Sequence, residues 1–313
     1  MHSAIVSSWG APPKYTSVAD IPSSPPDSNL VQIKVHYTGL HQVVKSRASG
    51  THYSSAKSDG PVHHVPGVDG TGTTADGMPV YFLTFGPSGT YNEYINLAKH
   101  EVIPLPEGVD AAQVAAFMNP MLSSWMALRF RTNDLPKEGW TALIMGATSS
   151  SGLVAAHVAR RFGAKCVVGV ARNVAKAEKL GFDAVVKLED EPDKTDFSSI
   201  GQVDVVLDYV FGPAAETLLK QIKTEHGPTQ YVQVGGLGGR MDMNVPGAVL
   251  RSKDITIRGA GPGAWQMKAA AQELPKMLEL FKELPKFDVD IVPLSEVEQA
   301  WTKTGGDRIV FKV

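Results

Sequence analysis

The sequence predicts a two-domain protein. One domain is α/β, a parallel sheet with helices on both faces; the other is mainly β, built first and returned to at the end of the chain. Three observations lead there. From Trp140 to Val170 the chain reads strand, small-residue turn, amphipathic helix, strand, which is the βαβ unit of a parallel sheet. Strand-like and helix-like runs keep alternating after it. The first hundred residues instead hold short β-like runs among Gly, Pro, Ser and Thr, and β-like runs reappear near the C-terminus. The expected boundaries are 1–120 for the mainly-β domain, 121–262 for the parallel-sheet domain and 263–313 for the return.

Taken in order, 22–27 reads as turn and loop because of its prolines and serines. Val31 to Tyr37 alternates apolar and polar, the mark of a half-buried strand. Val80 to Phe85 and Tyr91 to Ile95 read as two more strands around a Gly-Pro-Ser-Gly loop at 86–89. Ala111 to Met118 has helical texture. Asn119-Pro120 is expected to break it, because proline disfavours helical geometry in the residue before it. A second helix is expected from Ser123 to Phe130, and 136–139 turns into the next strand.

Thr141 to Met145 is an apolar run short enough for a buried parallel strand. The turn after it holds only small residues: Gly146, Ala147, Thr148, Ser149, Ser150, Ser151 and Gly152. A diphosphate needs backbone N–H groups at a helix N-terminus and no side chain in the way. Gly146 permits the tight turn, Gly152 lets the helix approach the strand, and the serine hydroxyls can donate to phosphate. An ordinary strand-to-helix turn is the alternative reading. The helix runs from Leu153 to Phe162, with Gly163 at its C-cap, and the second strand from Cys166 to Val170. Dinucleotide folds that prefer NAD carry Asp or Glu about 20 residues past the glycines. Here that place reads Ala171-Arg172-Asn173, with Lys176 one helical turn on. No acid repels a 2′-phosphate, and Arg172 can grip one bidentately. The cofactor expected is NADP(H); a solvated helix start is the plain alternative for Arg172 and Lys176.

Further along, Ala184 to Val186, Val203 to Asp208, Gln230 to Val234 and Asp254 to Arg258 read as strands, with a helix from Ala214 to Lys223 and an acidic surface loop over 189–196. Two of these strands end in glycines, Gly235-Gly236 and Gly259-Ala260-Gly261. Glycines at a carboxyl edge let a flat ring approach the backbone. The tail reads as a long helix, about 264–282, and β runs at 289–292 and 308–311.

The 313 residues carry 30 basic and 32 acidic side chains and are 43% hydrophobic, which suits a globular two-domain protein. Balanced, scattered charge excludes a nucleic-acid surface. No apolar run approaches the ~18–20 residues of a membrane span, and the first residues lack a signal-peptide core, so a cytoplasmic protein is expected. The single cysteine, Cys166, excludes disulfides and multi-cysteine zinc sites.

This order of parts resembles the medium-chain dehydrogenase/reductase superfamily, and within it the zinc-free quinone oxidoreductase-like branch. The resemblance rests on Pro66 to Gly72, Asn119 to Trp125, Gly146 to Gly152, Val205 to Tyr209, Tyr231 to Gly235 and Gly306 to Val310. It implies a Rossmann domain joined to a GroES-like mainly-β domain. Zinc alcohol dehydrogenases of the superfamily have Gly-His-Glu where this chain reads Gly67-Val68-Asp69, and a zinc-ligand Cys where it reads Thr38-Gly39-Leu40-His41. They also carry a four-cysteine lobe. No metal is therefore expected, and His63-His64, being adjacent, point different ways and read as turn or surface.

By motif position, Ser123 resembles the hydroxyl residue near the nicotinamide, and Asn119 lies one turn earlier. Tyr37 and His41 lie on the loop that faces the nicotinamide in the family. His41 either orients a carbonyl and donates a proton, with Tyr37 as second candidate, or is a hydrogen-bonded loop histidine with solvent as the acid. The cofactor set expected is Ser123, the seven residues from Gly146 to Gly152, Arg172, Asn173, Lys176, Gly235, Gly236 and Gly261. The activity implied is an NADPH-dependent, zinc-free reduction of a quinone or an activated C=C bond (enal or enone) by a homodimer, with no nucleic-acid or membrane partner. A biosynthetic enoyl reductase and a non-catalytic, crystallin-like NADPH-binding protein are the alternatives.

Overall fold

A computed structural model describes residues 1–21, 23, 29–53, 55, 62–86 and 89–313. All but Ser23 of the turn expected over 22–27, and Pro87 and Ser88 of the second loop, lie outside the described residues. The chain begins with strands β1 (His2–Ile5), β2 (Lys14–Ser17) and β3 (Leu30–Gly39), helix α1 (Gln42–Ala48), strands β4 (Asp69–Thr74), β5 (Pro79–Leu83), β6 (Tyr94–Ala98) and β7 (Val102–Pro104), and helix α2 (Ala111–Phe130). It continues with β8 (Trp140–Met145), α3 (Ser150–Arg161), β9 (Ala164–Ala171), α4 (Val174–Glu178), β10 (Ala184–Lys187), β11 (Val205–Asp208), α5 (Pro213–Gln221), β12 (Thr229–Gln233), α6 (Gly247–Ser252) and β13 (Ile255–Gly259). Last come α7 (Met267–Leu280), β14 (Val289–Pro293), α8 (Val297–Thr302) and β15 (Arg308–Lys312). These elements form two compact units, 1–119 with 271–313, and 120–270.

The first unit is the GroES-like one. Its main sheet runs β14-β15-β3-β4-β5-β7, with β6 also on β3, and every pairing but β14 with β15 is antiparallel. Strand β3 holds it together, as the alternation predicts: Ile33 and Val35 are buried and Lys34 between them is exposed. One core packs Val6, Val44, Tyr91, Val297 and Phe311; the other packs Ile33, Val35, Val80, Phe82 and Ile95. The strand expected from Tyr91 starts only at Tyr94. Tyr91 is instead fully buried, its hydroxyl donating to Gly39 O at 3.0 Å.

The second unit is the Rossmann domain, a six-stranded parallel sheet in the order β10-β9-β8-β11-β12-β13. Numbered from β8, that is the doubly wound order 3-2-1-4-5-6, which reverses direction between β8 and β11. Ala142 to Met145 are all buried, as a continuous apolar run in a two-sided sheet requires. Leu143, Met145, Val206, Leu218, Leu219 and Tyr231 share one core.

Asn119-Pro120 does not break the helix. Helix α2 runs unbroken for 20 residues with Pro120 inside it. Proline removes one amide donor, that to the carbonyl four residues back. That carbonyl, Ala116 O, accepts instead from Arg308 Nε at 3.2 Å. Close approach on this side also fixes Gly39, where a Cβ would stand 2.3 Å from Ala115 O and 2.5 Å from the His41 ring. No helix among the described residues is long and apolar enough to cross a membrane.

Gly39→Ala is expected to lower stability by about 1–3 kcal/mol, because the methyl meets backbone that cannot swing aside. The urea midpoint of the purified variant checks it; an unchanged midpoint contradicts the packing described.

Candidate functional site

In the Rossmann unit the expected cofactor residues gather along the carboxyl edge of the sheet. Gly146 leaves β8 at φ +87°, and its amide and that of Ala147 both donate to Val170 O at 3.0 Å. Ser149 is the N-cap of α3, its hydroxyl oxygen accepting from Gly152 N at 3.0 Å. That leaves the Ser149 O–H, the hydroxyls of Thr148, Ser150 and Ser151, and the first-turn amides to donate outward. Gly152 is fixed by space: a Cβ there would lie 2.3 Å from Gly146 O.

The next turns complete that edge. Asp208, at the end of β11, is fully buried, and its Oδ1 accepts from Val210 N (2.7 Å) and Phe211 N (3.0 Å). Burial pushes its carboxyl up, partly offset by the Tyr231 hydroxyl and those two amides. The bonds hold Phe211 at φ +63°, a conformation rare for a residue with a side chain. The loop after β12 zips onto this turn, with Leu237 N on Tyr209 O (2.8 Å) and Gly238 N on Val210 O (2.9 Å). Gly235 packs on the Tyr209 backbone, and Gly236 lies under the Met241 thioether. Gly261 follows β13, its carbonyl accepting from Ala264 N at 2.7 Å. Arg172, just past the end of β9, and Lys176, in α4, are both exposed. Asn173 is already engaged, its Oδ1 capping α4 through Lys176 N at 2.9 Å.

Ser123 belongs to the same unit. Its hydroxyl donates to Pro120 O at 2.7 Å and lies 3.4 Å from the Tyr209 hydroxyl. With its proton so used, the Ser123 oxygen is left as an acceptor. Burial pushes the Tyr209 phenol up to about 12, offset in part by Ser123 and Ser124.

The three residues assigned to catalysis belong to the first unit. Tyr37 is half-buried on β3, and Asn119 half-buried on α2. His41 does not lie open to a pocket. It is buried at the start of α1, Nε2 bonded to Asp69 Oδ1 at 2.7 Å and Nδ1 bonded to an Arg308 guanidinium nitrogen. A guanidinium only donates, so Nδ1 accepts and the proton sits on Nε2, given to Asp69. Tyr81 OH donates to Asp69 Oδ2 at 3.2 Å. Burial pushes His41 down from its ordinary 6.5, Asp69 pulls it up, and Arg308 pushes it down again. Burial also pushes Arg308 down, to about 10. Both ring nitrogens of His41 are thus hydrogen-bonded within the protein.

A family model described as zinc-binding dehydrogenase matches residues 152–283. A probable NADPH-dependent quinone reductase of Emericella nidulans is 32% identical, over 99% of this chain and 99% of that one. The chain belongs to the medium-chain dehydrogenase/reductase superfamily. It is a quinone oxidoreductase-like member. The human quinone oxidoreductase is 32% identical over 55% of this chain and 53% of its own. The quinone oxidoreductase of Thermus thermophilus, solved alone and with NADPH, shares the fold at a TM-score of 0.80 and 21% identity, covering 100% of each chain.

Superfamily membership raises the question of zinc. The two stretches aligned with zinc-ligand positions, Thr38 to His41 and Gly67 to Asp69, do meet, but as a His–Asp pair closed by a guanidinium. A divalent cation would have to displace Arg308 from His41. Among the described residues no group of three or more His, Cys, Asp or Glu could hold a metal. Sequence reasoning missed Asp69, Arg308, Asp208 and Tyr209 as functional candidates. All four lie in stretches that carried the resemblance, which was the available signal.

Because His41 titrates below its ordinary 6.5 when folded, the unfolded chain takes the proton first as pH falls. Stability therefore drops as pH falls below about 6.5, and is untouched by this group above it. His36, His52, His64 and His157 are lowered too and share the effect. His41→Gln keeps a donor for Asp69 and an acceptor for Arg308 without the titration. It is expected to lose less melting temperature than wild type between about pH 7.5 and about pH 5; an equal or greater loss contradicts the assigned proton position.

Proposed function

We propose that this protein is an NADPH-dependent, zinc-independent reductase that transfers hydride to a quinone or to a conjugated enal or enone. The observation that carries this reading is the small-residue turn Gly146–Gly152 at the carboxyl edge of the sheet, with exposed Arg172 and no carboxylate at the next strand end. The full-length likeness to a relative named as an NADPH-dependent quinone reductase supports it. The amides of Ser150 and Ser151 at the start of α3, with the hydroxyls of Thr148 and Ser149–Ser151, would hold the diphosphate, the amides of Gly146, Ala147, Ser149 and Gly152 being bonded within the turn. Arg172, with Lys176 beside it, would hold the 2′-phosphate. Gly235, Gly236 and Gly261 would let a flat ring approach the backbone of this edge, with the Met241 thioether against Gly236, and the Ser123 oxygen would accept from a carboxamide N–H.

Reduced nicotinamide supplies the hydride when bound. The chain contributes binding, orientation and exclusion of water. His41 is closed into its bonds with Asp69 and Arg308, so the proton that completes the hydroquinone comes from water. Asn119 and Tyr37 are the proposed polar neighbours of the acceptor. Among the described residues no group of three or more His, Cys, Asp or Glu could hold a Lewis-acid metal, which favours acceptors already activated by conjugation.

The test is NADPH oxidation against a panel of quinones, enals, enones, enoyl thioesters and simple alcohols. Quinone or enone reduction is expected, with NADPH at least about tenfold better than NADH, since a charge-assisted Arg–phosphate contact contributes about 1.5–3 kcal/mol. Arg172→Ala is expected to remove most of that preference and leave NADH nearly unchanged. Equal use of the two cofactors by wild type contradicts the assignment. A melting shift with NADPH and no turnover would mark a binding protein, and turnover confined to enoyl thioesters a biosynthetic reductase.

The proposed assembly is a homodimer formed through β13. This strand is the edge of the parallel sheet and carries Ile257 at 39% exposure, and an apolar open edge invites a partner strand. Light scattering is expected to give twice the chain mass; a monomer mass at every concentration contradicts it.

A further inference from the structure

Pro120 leaves a defect in the middle of α2. A helix residue normally donates its amide to the carbonyl four positions back, and proline has no amide hydrogen and crowds that carbonyl. The carbonyl is Ala116 O, on a residue with no exposed surface, so water does not satisfy it. Its partner comes from 192 positions away: Arg308 Nε, at the start of β15, lies 3.2 Å from Ala116 O. The same guanidinium holds His41 Nδ1, and His41 Nε2 passes its proton toward Asp69 Oδ1 at 2.7 Å. One guanidinium, one histidine tautomer and one carboxylate thus tie the interrupted turn of α2 to the start of α1 and to β4. Gly39 lets the next carbonyl, Ala115 O, come as close to the end of β3. The residues just past the clamp are Asn119 and, one turn on, Ser123.

We propose that Arg308 is a positioning residue: it supplies the hydrogen bond that Pro120 removes from α2, and so sets the turn of helix that presents Asn119 and Ser123. This rests on the reading of those two residues as neighbours of the acceptor and the nicotinamide. A planar fork with diverging donors reaches both Ala116 O and His41 Nδ1; the single ammonium of a lysine reaches one of them. The clamp also accounts for burying an arginine beside a neutral histidine. The charge faces Asp69 through His41, and its Nε–H is spent on a buried backbone oxygen that Pro120 cannot serve.

The test is a double-mutant cycle on the full-length protein, with Arg308→Met, Pro120→Ala and the pair. Pro120→Ala returns an amide donor to Ala116 O, so the two changes must couple. Arg308→Met alone is expected to lower kcat for quinone reduction about tenfold or more, as displacement of a site does, with the NADPH Kd moved less than about threefold. In the Pro120→Ala background the same change is expected to lower kcat by less than about threefold. Equal losses in both backgrounds overturn the proposal, as does a loss confined to NADPH binding. If Arg308→Met does not fold, Arg308→Lys keeps the charge and loses the fork, and is expected to show the same coupling. Lack of turnover by wild type would defeat the functional reading alone. The coupling would then be read in melting temperature, where additive shifts overturn the clamp.

Discussion

Helix α3 can begin beside the end of β8 only because Gly152 carries no side chain; a Cβ there would stand 2.3 Å from the Gly146 carbonyl oxygen. That contact points a helix N-terminus at the carboxyl edge of the sheet, where its partial positive charge and free amides attract an anion. It does so beside the point where the strand order reverses, the place at which open parallel sheets bind ligands. The neighbouring turns follow from it. Asp208 locks the turn after β11 through Val210 N and Phe211 N, and the loop after β12 extends the ladder onto Tyr209 and Val210.

The GroES-like unit solves a different problem. Its sheet brings together the two stretches at which zinc-dependent members of the superfamily hold a metal, and this chain fills them with His41 and Asp69. A buried carboxylate left alone would be strongly destabilising. Here it accepts from His41 and Tyr81, and a guanidinium closes the chain from the far side of the imidazole. The net charge is that of one arginine and one aspartate, and the histidine stays neutral. The cation of the region is thus a side chain of the fold itself, which is why the chemistry proposed relies on an acceptor already activated by conjugation.

What was legible in the sequence was what is local. The alternation of β3 and the buried run of β8 each follow from a few adjacent residues and stand as expected, as does the turn at Gly146, although α3 starts at Ser150, three residues before the expected Leu153. The break at Pro120 was expected on equally local grounds and does not occur, because the compensating donor comes from Arg308 in the last strand. No window of sequence contains both. His41 reads similarly: its position left an acid and a hydrogen-bonded loop histidine both open, and only the fold shows both ring nitrogens bonded to residues 28 and 267 positions away. The strand expected from Tyr91 starts three residues later, at Tyr94, while the Tyr91 side chain is buried with its hydroxyl on Gly39 O, a contact 52 residues away in sequence.

The central claim is that this sheet edge holds NADPH so that its hydride leaves directly for the acceptor. It is tested most directly by anaerobic single turnover, mixing the NADPH complex with a simple benzoquinone and following the reduced-nicotinamide absorbance. The account predicts consumption of equal amounts of NADPH and quinone, slowed when the transferring carbon of NADPH carries deuterium. Decay no faster than without the protein, with the same rate for both isotopes, would contradict it.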